Sequence, residues 1–457
     1  MRPGAFALPR SRLGRLFPTA TDTTRLQEVP IGTWGGNPVE GDISVPLQHL
    51  IRNARSPLVA ILSTLALTFT GLALIAAPAQ ADGPGVGSPW VVTVGDSYIS
   101  GEAGRWAGSS NDSTAYADAL GSTAYFDNTS NTGEQIDRCH RSKSAEAYVG
   151  GGVSGMNLAC SGAKTSTFTD GNGRFKPGLD FYDDGAGNIG QAKALQQFAG
   201  TRNVKMVVGS IGGNDFNFGS IVQTCVTDFL TSPTWWKDYC NDDSSVTSNF
   251  TTANVATVKS RIATAYQNTR TAMRNAGYAD GSWTMLVQNY PSPLPRGAGI
   301  RYSESGYSRQ DTGGCGFWNA DANWANDSAL PTINNAVTGA ISTAGITNSK
   351  TLNLSSAFNG RRLCENTVGL YEEKGLTSWT QAGAVDQTEW INQIRTVSTC
   401  CSSSPYYIQE SFHPNYWAQL ATRSCVRQAY NGGVARGGAC TISGTGLLNG
   451  EPRMLLQ

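Results

Sequence analysis

Charge is scarce in this chain. Asp, Glu, Lys and Arg make up 15% of its 457 residues, the two signs cancel at 34 each, and no basic block stands out. Such a surface argues against a nucleic-acid-binding protein, which gathers Lys and Arg on one face. Histidine is scarcer still, with three in all, so chemistry that needs an imidazole has few places to find it. The ten cysteines include no pair at the two-residue spacing of structural zinc. No motif implies a metal or an organic cofactor. Internal repeats and linkers are also missing.

Glycine, by contrast, is abundant at 53 residues, and Ser, Thr, Asn and Trp are plentiful beside it. That composition makes a loop-rich, uncharged surface of the kind found on exported proteins. Leu58 to Ala77 carries no charge, follows Arg52 and Arg55, and ends at Ala79-Gln80-Ala81, a small-x-small cleavage pattern. It reads as a secretory signal peptide cleaved after Ala81, with an uncleaved membrane anchor as the competing reading. The segment before it is long for a signal peptide, which suggests that translation begins nearer Val45. Residues 1–81 are therefore set apart as extension and signal, and residues 82–457 are expected to form one secreted domain.

All ten cysteines lie in that exported part, which favours disulfides over metal or redox sites. Neighbours in sequence suggest the pairs Cys139–Cys160, Cys225–Cys240 and Cys315–Cys364. Cys400, Cys401, Cys425 and Cys440 stay open, with the adjacent Cys400 and Cys401 expected to bond to different partners. Closing the short Cys225–Cys240 loop is worth on the order of 3 kcal/mol by chain entropy.

The stretch Val91-Val92-Thr93-Val94-Gly95-Asp96-Ser97-Tyr98 reads as a buried parallel strand ending in a tight turn. In open α/β sheets, ligands bind just beyond the carboxyl ends of the strands, which is where Ser97 falls. Further strands are expected at 155–162, 204–211, 283–290 and 351–354. Helices are expected at 254–276, at 330–344, and from about Pro414 through Trp417, Leu420 and Val426. Ser100 to Asn131 reads as an irregular loop feeding a helix. Asp170 to Gly190 reads as surface loop, its Asp170-Gly171-Asn172-Gly173 lacking the later ligands of a calcium site. Strands alternating with helices predict an α/β fold with a doubly wound parallel sheet of about five strands.

A serine hydroxyl becomes a nucleophile only when a neighbouring base takes its proton, and histidine is the usual base near neutral pH. His49 precedes the signal segment. His140 stands in Arg138-Cys139-His140-Arg141, whose two positive charges would oppose a protonated imidazolium. His413 stands in Glu410-Ser411-Phe412-His413-Pro414, where Glu410 can reach the second ring nitrogen and fix the tautomer.

Gly-Asp-Ser-Tyr at 95–98, Gly162, Gly-Gly-Asn-Asp at 212–215 and Glu-x-x-His-Pro at 410–414 occur in that order. This ordered set resembles the GDSL, or SGNH, hydrolase family, and within it the secreted, disulfide-bonded actinobacterial lipases and esterases. The resemblance spans nearly all of residues 88–430. It implies a three-layer α/β/α sandwich with a flavodoxin-like sheet and a serine ester hydrolase working through an acyl-enzyme. Ser97 resembles the nucleophile and His413 the general base. The N–H groups of Ser97 and Gly162 and the side chain of Asn214 resemble the oxyanion hole. Each such donor is typically worth on the order of 3 kcal/mol. The chain departs from the family at Glu410, where the relatives carry aspartate; some relatives orient the histidine with a backbone carbonyl instead.

The implied partner is a small-molecule or lipid ester, met by a monomer in passing contact with lipid or polysaccharide surfaces. A carbohydrate acetyl esterase or a phospholipase on the same fold is the alternative, followed by an inactive wall-associated binding protein. Trp235, Trp236, Trp318 and Trp324 would serve the first by stacking on sugars, or would line an acyl groove, or fill core.

Overall fold

The computed structural model describes residues 84–396 and 408–457. The signal segment, its cleavage point after Ala81, and Cys400 and Cys401 lie outside the described residues. Strand β1 (Pro89–Gly95) is flanked by β2 (Ser154–Asn157) and β3 (Asn203–Ser210). Strands β4 (Thr284–Gln288) and β5 (Ser349–Asn353) continue the sheet. All five run parallel in the order β2-β1-β3-β4-β5, the flavodoxin-like order. Two more strands extend the far edge. Strand β6 (Gly438–Leu448) joins β5 in parallel through Leu352 and Asn353, and β7 (Glu451–Leu456) folds back antiparallel on β6. The sheet therefore has seven strands, where the sequence predicts about five.

Parallel strands buried on both faces need apolar residues at every position, not at alternate ones. Strand β1 shows the consequence. Val91 packs on one face with Val208, Leu286 and Leu352. Val92 and Val94 pack on the other with Val204, Val207, Met285 and Val287. Helices α1 (Gln191–Ala199), α3 (Thr252–Asn275) and α4 (Leu330–Ala344) cover the second face through Leu195, Ile262, Tyr266 and Val337. Helices α2 (Phe218–Thr231) and α5 (Tyr416–Tyr430) cover the first through Ile221, Val226, Trp417 and Leu420. The result is a three-layer α/β/α sandwich.

Helix α5 begins at Tyr416, two residues after Pro414. Asn415 is its cap and accepts from the N–H groups of Trp417 and Ala418. No helix follows the loop at Ser100–Asn131; residues 132–153 run as turns and bends, ending in Gly150-Gly151-Gly152, until β2. Strand β2 also ends at Asn157 rather than Gly162, although Leu158 and Cys160 still donate to the carbonyls of Thr93 and Gly95. The stretch Asp170–Gly190, expected to be loop throughout, contains the second strand of a small hairpin: Phe175–Lys176 pairs with Phe168–Thr169 across the turn at 170–174, and loop follows. Disulfides join Cys139 to Cys160, Cys225 to Cys240, Cys315 to Cys364, and Cys425 to Cys440. The last ties α5 to β6 and so anchors the edge hairpin. No helix among the described residues is long and apolar enough to cross a membrane.

Candidate active site

Gly95 ends β1 with a φ of +147°, and a Cβ there would sit 1.9 Å from the Ser210 carbonyl oxygen. Only glycine lets the chain turn this close to β3. Asp96 follows. Its N–H donates to that same carbonyl at 3.1 Å, and its carboxylate caps the single turn Ser97–Ser100 by accepting from the Tyr98 N–H at 3.2 Å. Ser97 thus opens a helical turn at the carboxyl end of the central strand, 6% exposed.

His413 comes from the opposite end of the chain, on the segment entering α5. Its Nε2 lies 2.7 Å from Ser97 Oγ, and its Nδ1 lies 2.9 Å from the Ser411 carbonyl oxygen. Several bonds hold this segment in place. The Tyr98 hydroxyl donates to the Phe412 carbonyl at 2.9 Å, and Asn392 exchanges backbone bonds with Phe412 and His413. Phe412 takes a φ of +63°, uncommon for a bulky residue, and its ring is held between Phe218 and Phe317.

Glu410 does not orient His413. It ends a short helical turn, Ile408–Glu410, with its carboxylate directed into the protein. There the indole N–H of Trp106 donates to it at 2.8 Å and the Tyr125 hydroxyl at 2.5 Å. The left-handed turn at Phe412 breaks the helical spacing that would have aligned Glu410 with the ring. The Ser411 carbonyl occupies that position instead.

Asn214 lies on the turn Gly213–Phe216 after β3, and its Nδ2 donates at 2.9 Å to the Ala163 carbonyl, beside Gly162. Gly162 has a φ of +80°, a left-handed conformation natural to glycine. Asp215 fixes this junction by accepting from both the N–H and the hydroxyl of Thr165. Ser97, Gly162, Asn214 and His413 all line one cleft of about 520 Å³. The four loops that the sequence singled out therefore meet at one end of the sheet.

Other functional neighbours have no spacing signal in the sequence. The Tyr290 hydroxyl donates to Asp96 and accepts from the Gly213 N–H at 3.0 Å, joining the Ser97 turn to the Asn214 turn. Burial pushes the Asp96 carboxyl up to about 7. Glu102 donates its N–H to the Ser97 carbonyl and accepts with its carboxylate from Gln409 at 2.7 Å.

His140 is not disfavoured as a cation, contrary to expectation. It is buried, with Nδ1 2.6 Å from Glu102 and Nε2 3.3 Å from Glu134, and it stacks on Tyr125. Burial alone would lower its pKa, but the Glu102 charge and hydrogen bond raise it above the ordinary value. Arg141 turns away and donates to the carbonyls of Leu158 and Ala159. For His413, burial prevails over the Glu102 charge and its pKa is lowered. Glu102, His140 and Glu410 place ligand-type atoms within 4.8 Å of one another. Their carboxylates already accept from Tyr125, Trp106, Gln409 and His140, which satisfies the cluster without an ion.

Of the four tryptophans, Trp235 and Trp236 are exposed, Trp324 is half-buried against Phe250, and Trp318 is buried and fills core.

Neither a family model nor a curated protein matches this chain. Among solved structures it is similar to an extracellular lipase of Streptomyces rimosus, at 17% identity over 75% of this chain and 99% of that one. The TM-score is 0.38, too low to carry weight for fold or activity.

Proposed function

We propose that this chain is an exported serine ester hydrolase of the lipase/esterase type, acting through an acyl-enzyme at Ser97. The observation that carries the reading is the 2.7 Å contact between Ser97 Oγ and His413 Nε2, with the Ser411 carbonyl on Nδ1. That carbonyl is an acceptor, so Nδ1 keeps its proton and Nε2 keeps its lone pair for the serine.

In the proposed reaction Ser97 Oγ attacks the ester carbonyl carbon while His413 Nε2 takes the hydroxyl proton. The negative charge on the former carbonyl oxygen is met by the N–H groups of Ser97 and Gly162 and by Nδ2 of Asn214. As the C–O bond breaks, His413 returns the proton to the departing alcohol. Water, deprotonated by the same imidazole, then releases the acid and restores Ser97. The Ser411 carbonyl stabilises the transient imidazolium in place of a carboxylate. Four disulfides suit an oxidising, exported setting.

A polysaccharide acetyl esterase would need only a small acyl pocket, which the long apolar cleft beside Ser97 does not favour. The test is a hydrolysis panel of short esters, long esters, phospholipids and acetylated sugars, run beside Ser97→Ala. Ester cleavage by the parent and its loss in the variant support the reading. A Ser97→Ala protein as active as the parent overturns it.

A further inference from the structure

Two clefts meet at Gly162, the first mostly apolar with a single cation, Arg395, in its lining, the second cationic. The first follows α2, whose Phe218, Val222, Val226 and Leu230 recur every four residues and all face the cleft. From the first of these to the last the helix rises about 18 Å. Ile394 and Phe412 form the facing wall, and Ser97 and His413 sit at the end near Phe218. Acetyl or butyryl groups would leave most of this wall bare, whereas a long acyl chain covers it.

The second cleft, of about 590 Å³, opens on the other side of Gly162 and shares Ser161, Gly162, Ile408 and Gln409 with the first. Three cationic side chains line it, Arg138, Arg174 and Lys176, against one carboxylate, Asp170. Asp170 is engaged locally, accepting from the backbone N–H groups of Asn172 and Arg174. Lys176 is 3% exposed and donates one of its N–H groups to the Arg138 carbonyl at 2.8 Å. Its chain passes beside Gly162, where a Cβ would lie 3.8 Å from Lys176 Cε. Arg174 pairs with the exposed Asp137 at 3.2 Å. A buried lysine beside the proposed oxyanion hole, flanked by two arginines, is a setting for negative charge.

We propose that the substrate is an anionic amphiphile: a long-chain acyl ester whose alcohol part carries a negatively charged group a few atoms from the ester. The acyl chain lies along α2, and the anion lies among Arg138, Arg174 and Lys176. This deepens the ester-hydrolase reading and rests on it. A phosphate on glycerol and a carboxylate on a hydroxy acid share the required chemistry.

The test compares dodecanoyl esters of glycerol, glycerol phosphate, glycerophosphocholine and lactate. The proposal expects kcat/KM for the glycerol phosphate ester to exceed that for the neutral one by about tenfold, the worth of one charge-assisted hydrogen bond. Added salt should erode that ratio. A high rate on the phosphate ester alone identifies phosphate as the source; equal rates on the lactate ester identify any anion. Lys176→Gln and Arg174→Gln should each reduce the anionic-to-neutral ratio, and the half-exposed Arg174 site guards against a folding defect at Lys176.

Binding gives a readout free of turnover. Ser97→Ala should bind dodecyl phosphate about tenfold more tightly than dodecyl maltoside in calorimetric titration. Equal rates on anionic and neutral esters, with Ser97-dependent cleavage of both, would overturn this inference and leave the esterase reading standing. Discrimination in binding without cleavage of any ester would retain the subsite and remove the esterase reading.

Discussion

Two histidines, His140 buried and His413 half-buried, lie in adjoining pockets of this protein and are tuned in opposite directions. His140 sits between Glu102 and Glu134, and those charges raise its pKa against the effect of burial. His413 meets only neutral partners through its ring nitrogens, the Ser411 carbonyl and the Ser97 hydroxyl, and burial lowers its pKa. A general base must be neutral at the working pH, so the second environment suits catalysis and the first suits structure. Proximity to a carboxylate is therefore no guide to which histidine is the base. Here the histidine with carboxylate partners is the one whose ring bonds Glu102 inside the buried Glu102–Glu410 pocket.

Replacing each histidine should separate the two roles. The largest effect is expected for His413→Ala, with ester turnover falling about 10⁴-fold or more and the melting transition little changed. His140→Ala should do the reverse. It leaves the buried Glu102 and the neighbouring Glu134 without their imidazole partner and should cost about 3–5 kcal/mol in urea unfolding. A His140→Ala protein of parental stability but without activity would invert the assignment.

Glu410→Ala comes next in size. It strips a buried acceptor from Trp106 Nε1 and the Tyr125 hydroxyl and should cost about 2–4 kcal/mol in stability. Turnover per folded molecule should stay within about tenfold of the parent, because the orienting acceptor is the Ser411 carbonyl. A loss as large as that of His413→Ala would restore Glu410 to a catalytic role.

The smallest effects are in pH dependence, where the two histidines should again have opposite signs. The His140 pKa is raised in the folded state, so its contribution to stability is complete below 6.5 and disappears as pH climbs through the folded value. The His413 pKa is lowered, so its effect runs the other way: stability rises with pH up to 6.5. For activity, the acid limb of kcat/KM should fall below the ordinary imidazole value of 6.5, since the base is needed neutral. Glu102→Gln should move that limb lower still, because the Glu102 charge favours protonated His413. A limb that moves upward would contradict this electrostatic account.

The central sheet was legible because β1, β3 and β4 carry apolar runs, broken only by Thr93 and Lys205, that suit strands buried on both faces. The edge hairpin β6–β7 was not legible. Its glycine-rich run Gly438–Leu448 has little pattern of its own and gains its place from pairing with β5 and from the Cys425–Cys440 bond. Helix α2 was missed although its four-residue stripe is present in the sequence, because it begins within a Gly/Asn-rich turn. At the candidate site, the meeting of Ser97, Gly162, Asn214 and His413 follows from short motifs at loop positions. The turning away of Glu410 does not, since it depends on the positive φ of Phe412 and on partners more than 280 residues distant in sequence. The same holds for His140: its neighbour Arg141 turns to the Leu158 and Ala159 carbonyls, while Glu102 and Glu134 reach the ring from other turns.

The most direct measurement is stoichiometric labelling by an alkyl phosphonate ester, read by mass spectrometry of the peptides. One adduct per chain on Ser97 is expected in the parent and in His140→Gln, with labelling lost in His413→Ala. An adduct elsewhere, or labelling of Ser97 that persists at the parental rate without His413, would contradict the proposed pairing of these two side chains.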